Sequence, residues 1–157
     1  MPRSTLDPNR RLYLAIAVLL TTFVQVMWTA CDAQPILSPN ITVIDGDTVT
    51  ADGVVYRLVG FDSPETNVRA RCPLEDKLGK AATERLRDLI DVGPVQFTRV
   101  PCACLPGTEG TRRCNYGRLC ATLSIGGRDV GDILMREGLA RRYTCGATSC
   151  PPRRGWC

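Results

Sequence analysis

From residue 41 the chain alternates short β-branched runs with turn residues, the pattern of half-buried strands. Ile41 to Ile44 and Thr48 to Ala51 are two such runs, and Asp45-Gly46-Asp47 between them predicts a bend or bulge. Asp52-Gly53 is a two-residue hairpin signal, with Val54 to Val59 as the return strand. Phe61-Asp62-Ser63-Pro64-Glu65-Thr66 predicts a turn, because Pro64 restricts the residue before it. The period then changes. Leu78, Ala82, Leu86, Leu89 and Ile90 fall on one helical face, whereas Lys80, Glu84, Arg87 and Asp88 lie largely off it. A helix over 76–90 follows, ended by Val92-Gly93-Pro94.

Val95 to Val100 and Leu119 to Ile125 are two further strands, and Gly126-Gly127 is a turn. Between the two strands, residues 101–115 form a loop rich in proline, glycine and cysteine, long enough to need stapling. Val130, Ile133 and Leu134 mark a short helix closed by Gly138. Residues 144–157 carry three cysteines, two prolines and no period. Four or five mostly antiparallel strands with two helices predict a small α+β domain, with closure into a barrel as the natural arrangement.

The start of the chain is different. Arg3, Arg10 and Arg11 precede an apolar run over 12–28, and Thr29-Ala30-Cys31-Asp32-Ala33 follows. A basic start, an apolar stretch and a small-residue exit are the parts of a secretory signal. The run is short and polar for a membrane span, which needs about 20 apolar residues. An uncleaved anchor through 12–28 is the second reading, and lipid attachment at Cys31 the third. The expected organisation is a leader over 1–33, a domain over 34–143 and a tail over 144–157 packed on that domain. The protein is expected to be exported, periplasmic or secreted, and to touch a membrane only if the leader is retained or Cys31 is lipidated.

Cysteine usage supports export. Beyond Cys31 there are eight cysteines, an even number suited to four disulfides in an oxidising compartment. The rival is a zinc site, but the spacings are C-x-C, C-x5-C and C-x4-C, and the chain has no histidine. Eight cysteines allow 105 pairings, so connectivity cannot be read. Lack of histidine also excludes Ser-His-Asp and Cys-His nucleophile systems. Beyond the leader, 17 of the 20 basic residues stand against 14 of the 16 acidic ones, and 15 of the 17 are arginine. That mild basicity permits a polyanionic partner, and arginine suits bidentate phosphate contacts.

Chemistry gathers at Asp45-Gly46-Asp47-Thr48, Arg57 and Asp62-Ser63-Pro64-Glu65. Taken singly, Asp-Gly-Asp is an ordinary turn, Arg57 a surface residue and Glu65 a solvated carboxylate. Together they place carboxylates at the ends of adjacent strands, where hard oxygen ligands suit Ca²⁺ or Mg²⁺. With Asn115-Tyr116-Gly117-Arg118 added, the set is specific.

The chain resembles the thermonuclease (micrococcal or staphylococcal nuclease-like) family through these motifs, through Leu78-Gly79-Lys80-Ala81-Ala82 and through Glu137-Gly138-Leu139-Ala140. The resemblance runs over 41–143. It implies a five-stranded barrel of the oligonucleotide/oligosaccharide-binding type with packed helices, two or three in number, and a Ca²⁺-dependent endonuclease acting on DNA or RNA, working as a monomer. By the same resemblance Asp47 and Asp62 match metal-binding carboxylates, and Ser63 stands where a backbone carbonyl meets the ion. Asp45 would act on the ion through water, Arg57 and Arg118 match the catalytic arginines, and Glu65 matches the proposed general base.

Tyr116 and Tyr143 are candidates for stacking on a base, although tyrosines packed with a satisfied hydroxyl are as common. Two departures stand out. Cys114 replaces an acidic residue common two positions before Tyr116, and the proline-broken tail cannot copy the family's third helix. Disulfides are expected to replace its packing. The rival functions are a non-catalytic nucleic-acid-binding module on this fold and a stapled secreted interaction protein. The first should have lost a metal carboxylate or a catalytic arginine, yet all are present. The second rests on cysteines alone.

Overall fold

The computed structural model describes residues 36–37 and 40–157, and the leader lies outside them. Among the described residues, nine strands and two α-helices follow in order. The strands are β1 (Ile36–Leu37), β2 (Ile41–Asp45), β3 (Thr48–Ala51), β4 (Val54–Leu58), β5 (Gly60–Asp62), β6 (Val95–Val100), β7 (Leu119–Ile125), β8 (Arg128–Asp129) and β9 (Arg141–Tyr143). The helices are α1 (Pro73–Asp91) and α2 (Val130–Arg136). Among the described residues no helix is long and apolar enough to cross a membrane.

The larger sheet runs β1-β6-β7-β4-β3-β2, with β8 paired to β7. The β2, β3 and β4 strands form a meander, joined at one end by Asp52 and Gly53, both at positive φ as a mirror-type hairpin turn requires. Strand β7 is parallel to β4 and antiparallel to β6. Three meander strands, the third parallel to the fifth, are the pairing of the expected oligonucleotide/oligosaccharide-binding barrel. Its edge at β6 is covered by β1.

The apolar faces predicted from the sequence meet inside. Val49, Leu58, Phe61, Phe97, Leu123 and Leu134 are fully buried, with Leu86 and Leu89 of α1 and Val130 of α2 packed against them. The periods alternate correctly between 2 and 3.6 because both element types turn one face to this core.

Helix α1 begins three residues earlier than its apolar period suggests. Pro73 fits the first turn, where no N–H partner is needed, and Leu74 is exposed, so periodicity could not reveal it. Helix α2 is capped by Asp129, whose carboxylate accepts from the N–H of Gly131 and Asp132 at 2.8 and 3.2 Å. Gly138 at φ 76° ends it, as expected.

A correction concerns the turn at 61–66. Its first residues form β5, which pairs with β9 in a separate two-stranded ladder. Each strand is three residues long, too short to show alternation. From Thr144 onward the chain is irregular, with no third helix among the described residues. Disulfides join Cys72 to Cys157, Cys102 to Cys120, Cys104 to Cys114 and Cys145 to Cys150, so all eight cysteines beyond the leader are paired.

Candidate active site

A bulge shapes one edge of the site. The β2–β3 ladder shifts register between Val43 and Asp45, so Asp45 pairs with Thr48 and Asp47 sits at the tip. Gly46 is required here, because a side-chain carbon would approach Ala82 and Ser63 to 2.8 Å. Asp45, Asp47 and Thr48 are all buried. One oxygen of Asp47, Oδ2, accepts from both the N–H and Oγ of Ser63 at 2.9 Å. The other, Oδ1, pairs with Arg57 Nη1 at 2.7 Å and accepts from Thr48 Oγ1 at 3.2 Å. Burial pushes the Asp47 carboxyl up to about 6, against the pull of Arg57 and with the push of Asp45.

Arg57 is placed by register, opposite Thr48 on β3 and beside Cys120 on β7. Its Nη2 reaches Asp62 Oδ1 at 3.0 Å and the Phe61 carbonyl at 3.4 Å, so one guanidinium bridges Asp47 and Asp62. Asp62 and Ser63 are buried at the end of β5. The segment that follows lies directly on α1. A side chain at Gly79 would collide with the carbonyls of Pro64 and Glu65, so that glycine sets how closely Glu65 is held. Arg69 joins the edge, with Nη2 3.4 Å from Asp45 Oδ2 and Nε 3.5 Å from Glu65 Oε2.

Arg118 arrives from a different kind of structure. Asn115, Tyr116 and Gly117 all have positive φ, at 49°, 59° and 88°. Two non-glycine residues in that region cost of order 1–3 kcal/mol each and persist only where surroundings enforce them. Here Arg118 donates from Nε to the Asn115 carbonyl at 3.1 Å and from Nη2 to Asn115 Oδ1 at 2.8 Å. Its Nη1 donates to Thr48 Oγ1 at 3.2 Å, which ties it to Asp47. Burial, then the positive charge of Arg57, pulls the Arg118 guanidinium below the ordinary arginine range. Cys104–Cys114 and Cys102–Cys120 bracket this turn. Cys114 is thus a buried staple where the family commonly has an acid.

One residue was invisible to sequence reasoning. Arg153, in the aperiodic tail, reaches the same carboxylates, with Nε 2.6 Å from Asp62 Oδ1 and Nη1 paired to Glu65 Oε1. Its Nη2 donates to the Ser63 carbonyl at 2.8 Å. Although burial opposes its charge, the bonds to Glu65 and Asp62 hold it protonated above the ordinary arginine range. The one signal for it, a Cys157–Cys72 link that returns the tail to a point ten residues past Asp62, could not be chosen among 105 pairings.

These groups line a cleft of about 1060 Å³. Tyr116 and Tyr143 line it too. Tyr116 is 85% exposed, with the Arg118 guanidinium carbon over its ring at 5.9 Å. Tyr143 is half-buried and its hydroxyl donates to the Pro151 carbonyl at 2.5 Å, so it also anchors the tail. Every sequence-predicted site residue therefore borders one cleft or its carboxylate edge. Among the described residues no group of three or more histidine, cysteine or carboxylate side chains is arranged to enclose a metal.

Curated proteins are similar to this chain in sequence. The chain is 36% identical over 111 residues to "Endonuclease YncB" of Bacillus subtilis (strain 168), an alignment covering 65% of this chain and 47% of that protein. It is 35% identical over 104 residues to "SPbeta prophage-derived endonuclease YokF" of the same organism, covering 62% of this chain and 31% of that one. The chain thus spans about half or less of the length of these curated relatives. A family profile described as "Staphylococcal nuclease homologue" matches residues 55–153, a span from Arg57's strand to Arg153 itself. With the barrel, the bridging arginine and the carboxylate edge in place, that match covers most of the chain, and the protein belongs to the staphylococcal nuclease homologue family.

Proposed function

We propose that the chain is an exported endonuclease that hydrolyses phosphodiester bonds in DNA or RNA with Ca²⁺ bound at Asp47, Asp62 and the Ser63 carbonyl. The observation that carries this reading is the convergence of Arg57 and Arg118, from two different elements, on one buried carboxylate edge beside a cleft. The donor set fits a hard cation. It is all oxygen, and it already draws a positive guanidinium onto Asp62 and the Ser63 carbonyl. Bound there, the ion would supply positive charge beside the phosphate and bind water. Both relatives named above are endonucleases by name, which supports the reaction class.

The chain's own groups do the rest. Negative charge builds on the phosphoryl oxygens as water attacks phosphorus, and the guanidinium forks of Arg57 and Arg118 are preorganised donors for it. Their partial burial strengthens that interaction, because water screens it less. Glu65 takes the proton of the attacking water, and the bond from phosphorus to the leaving sugar oxygen breaks as the new one forms, that oxygen taking a proton from solvent water. Exposed Tyr116 offers a stacking face for a base, and Tyr143 a second. The four disulfides support export to an oxidising compartment.

Digestion of circular DNA and of RNA, with Ca²⁺ and then with excess chelator, tests the proposal. Cleavage should require the ion. Undiminished cleavage in chelator would remove the metal from the account, and no cleavage in either condition would favour a binding module.

A further inference from the structure

Arg153 is held on both sides by the tail. On one side, Tyr143 donates to the Pro151 carbonyl and Cys145–Cys150 closes a short loop. On the other, Trp156 is buried under the Arg141 guanidinium, whose carbon lies 3.9 Å from the ring centre, and Arg141 Nη1 donates to the Gly155 carbonyl at 2.8 Å. Cys157 then closes a covalent link to Cys72, the residue that caps α1. The backbone around Arg153 is therefore tied on both sides, and withdrawal of its side chain needs only rotation about its own torsions. Such a tethered group meets its partner at an effective concentration far above that of a free solute.

What the side chain meets is the cation site. Its three nitrogens engage Asp62 Oδ1, the Ser63 carbonyl and Glu65. The first two are oxygens assigned above to Ca²⁺, and the third belongs to the proposed base. Asp62 Oδ1 already has a positive partner in Arg57, so stability alone does not call for a second arginine there. Around the edge, Asp45, Asp47, Asp62 and Glu65 are balanced by Arg57, Arg69, Arg118 and Arg153. A divalent ion arriving with Arg153 in place would stand against a like charge on shared oxygens. The ion and Arg153 would therefore compete for Asp62 Oδ1 and the Ser63 carbonyl.

We propose that Arg153 is a built-in competitor for the divalent cation: an autoinhibitory contact that closes the site until the ion displaces it. This rests on the calcium reading above. It moves occupancy to higher ion concentration than the oxygens alone would need, because only the fraction of molecules with Arg153 withdrawn is competent to bind. It also takes one of two arginines off Glu65 when the ion binds, leaving Arg69.

Calorimetric titration of Ca²⁺ into the purified full chain, without nucleic acid, tests this. Arg153→Gln removes the charge and keeps a polar side chain, and it should bind Ca²⁺ about 10-fold or more tightly than wild type if 90% or more of the wild type is closed. Ca²⁺ should correspondingly raise the thermal midpoint of Arg153→Gln by more than that of wild type. Paired Cys72→Ser and Cys157→Ser changes, which loosen the tether and leave Arg153, should tighten binding by a smaller factor, and they serve if Arg153→Gln folds poorly. Asp47→Asn is the control that the heat comes from this site. Equal or weaker binding by Arg153→Gln, with wild-type binding intact, would overturn the competitor role alone. No Asp47-dependent heat in wild type or variants would overturn the calcium reading, and this proposal with it.

Discussion

Arg57 pairs with Asp47 and Arg118 bonds to the adjoining Thr48, yet the two arginines are held there by opposite means. Arg57 stands in the middle of a sheet, with ladder partners on β3 and β7 fixing its height and its face. Arg118 follows three residues of left-handed backbone in a loop closed by two disulfides. A strand positions a side chain through many weak and mutually supporting bonds. A strained turn does so only while something outside it forbids relaxation. One half of the site should therefore tolerate local damage, and the other should not.

The largest effect is expected at the proposed base, which neither of these arginines touches. Glu65→Gln keeps size and hydrogen bonding but removes basicity, so single-turnover cleavage should fall by roughly 10² to 10⁴. Ca²⁺ binding should survive, since Asp47 and Asp62 remain; equal cleavage by both proteins would take Glu65 out of the mechanism. A smaller effect separates the halves. Replacing Cys104 and Cys114 together by serine releases the turn, with a stability loss of about 2–4 kcal/mol in thermal unfolding. Turnover should drop by up to about 10², the cost of a displacement near 1 Å, with barrel circular dichroism retained. Unchanged turnover would show that Asn115 holds Arg118 without the staple.

The smallest effect lies away from the cleft, at the α1–α2 contact. The bidentate bond from Arg85 holds the Glu137 carboxyl below its usual range. A lowered carboxyl pKa contributes stability that is present above the unfolded value and lost as pH falls through the folded one. Glu137→Gln should thus lower the melting temperature slightly near pH 7, and the difference should vanish once the pH is below the lowered folded value. A difference that persisted there would mean packing, not charge, is responsible.

The same division explains what the sequence disclosed. The strands from Ile41 to Val59, the hairpin at Asp52-Gly53 and the face Ala82-Leu86-Leu89 were legible, because period and turn chemistry are local properties that the core merely confirms. Asp47, Arg57, Asp62 and Arg118 were legible as a set through family motifs, though nothing local says that Arg57 bridges two carboxylates. The β5–β9 ladder was hidden by its length. Arg153 was hidden for another reason. Its place depends on Cys157 meeting Cys72 across 85 residues, a long-range covalent choice that no local pattern encodes.

We propose that both arginines, however differently held, act on the transition state. Arg57→Lys and Arg118→Lys each keep the charge and lose the fork. Single-turnover cleavage of a defined oligonucleotide at saturating Ca²⁺, measured beside oligonucleotide affinity, tests the claim most directly. Each variant should lose on the order of 10²-fold or more in rate at saturating substrate, with affinity little changed. A variant that weakens only affinity and cleaves at the wild-type rate once saturated would contradict it.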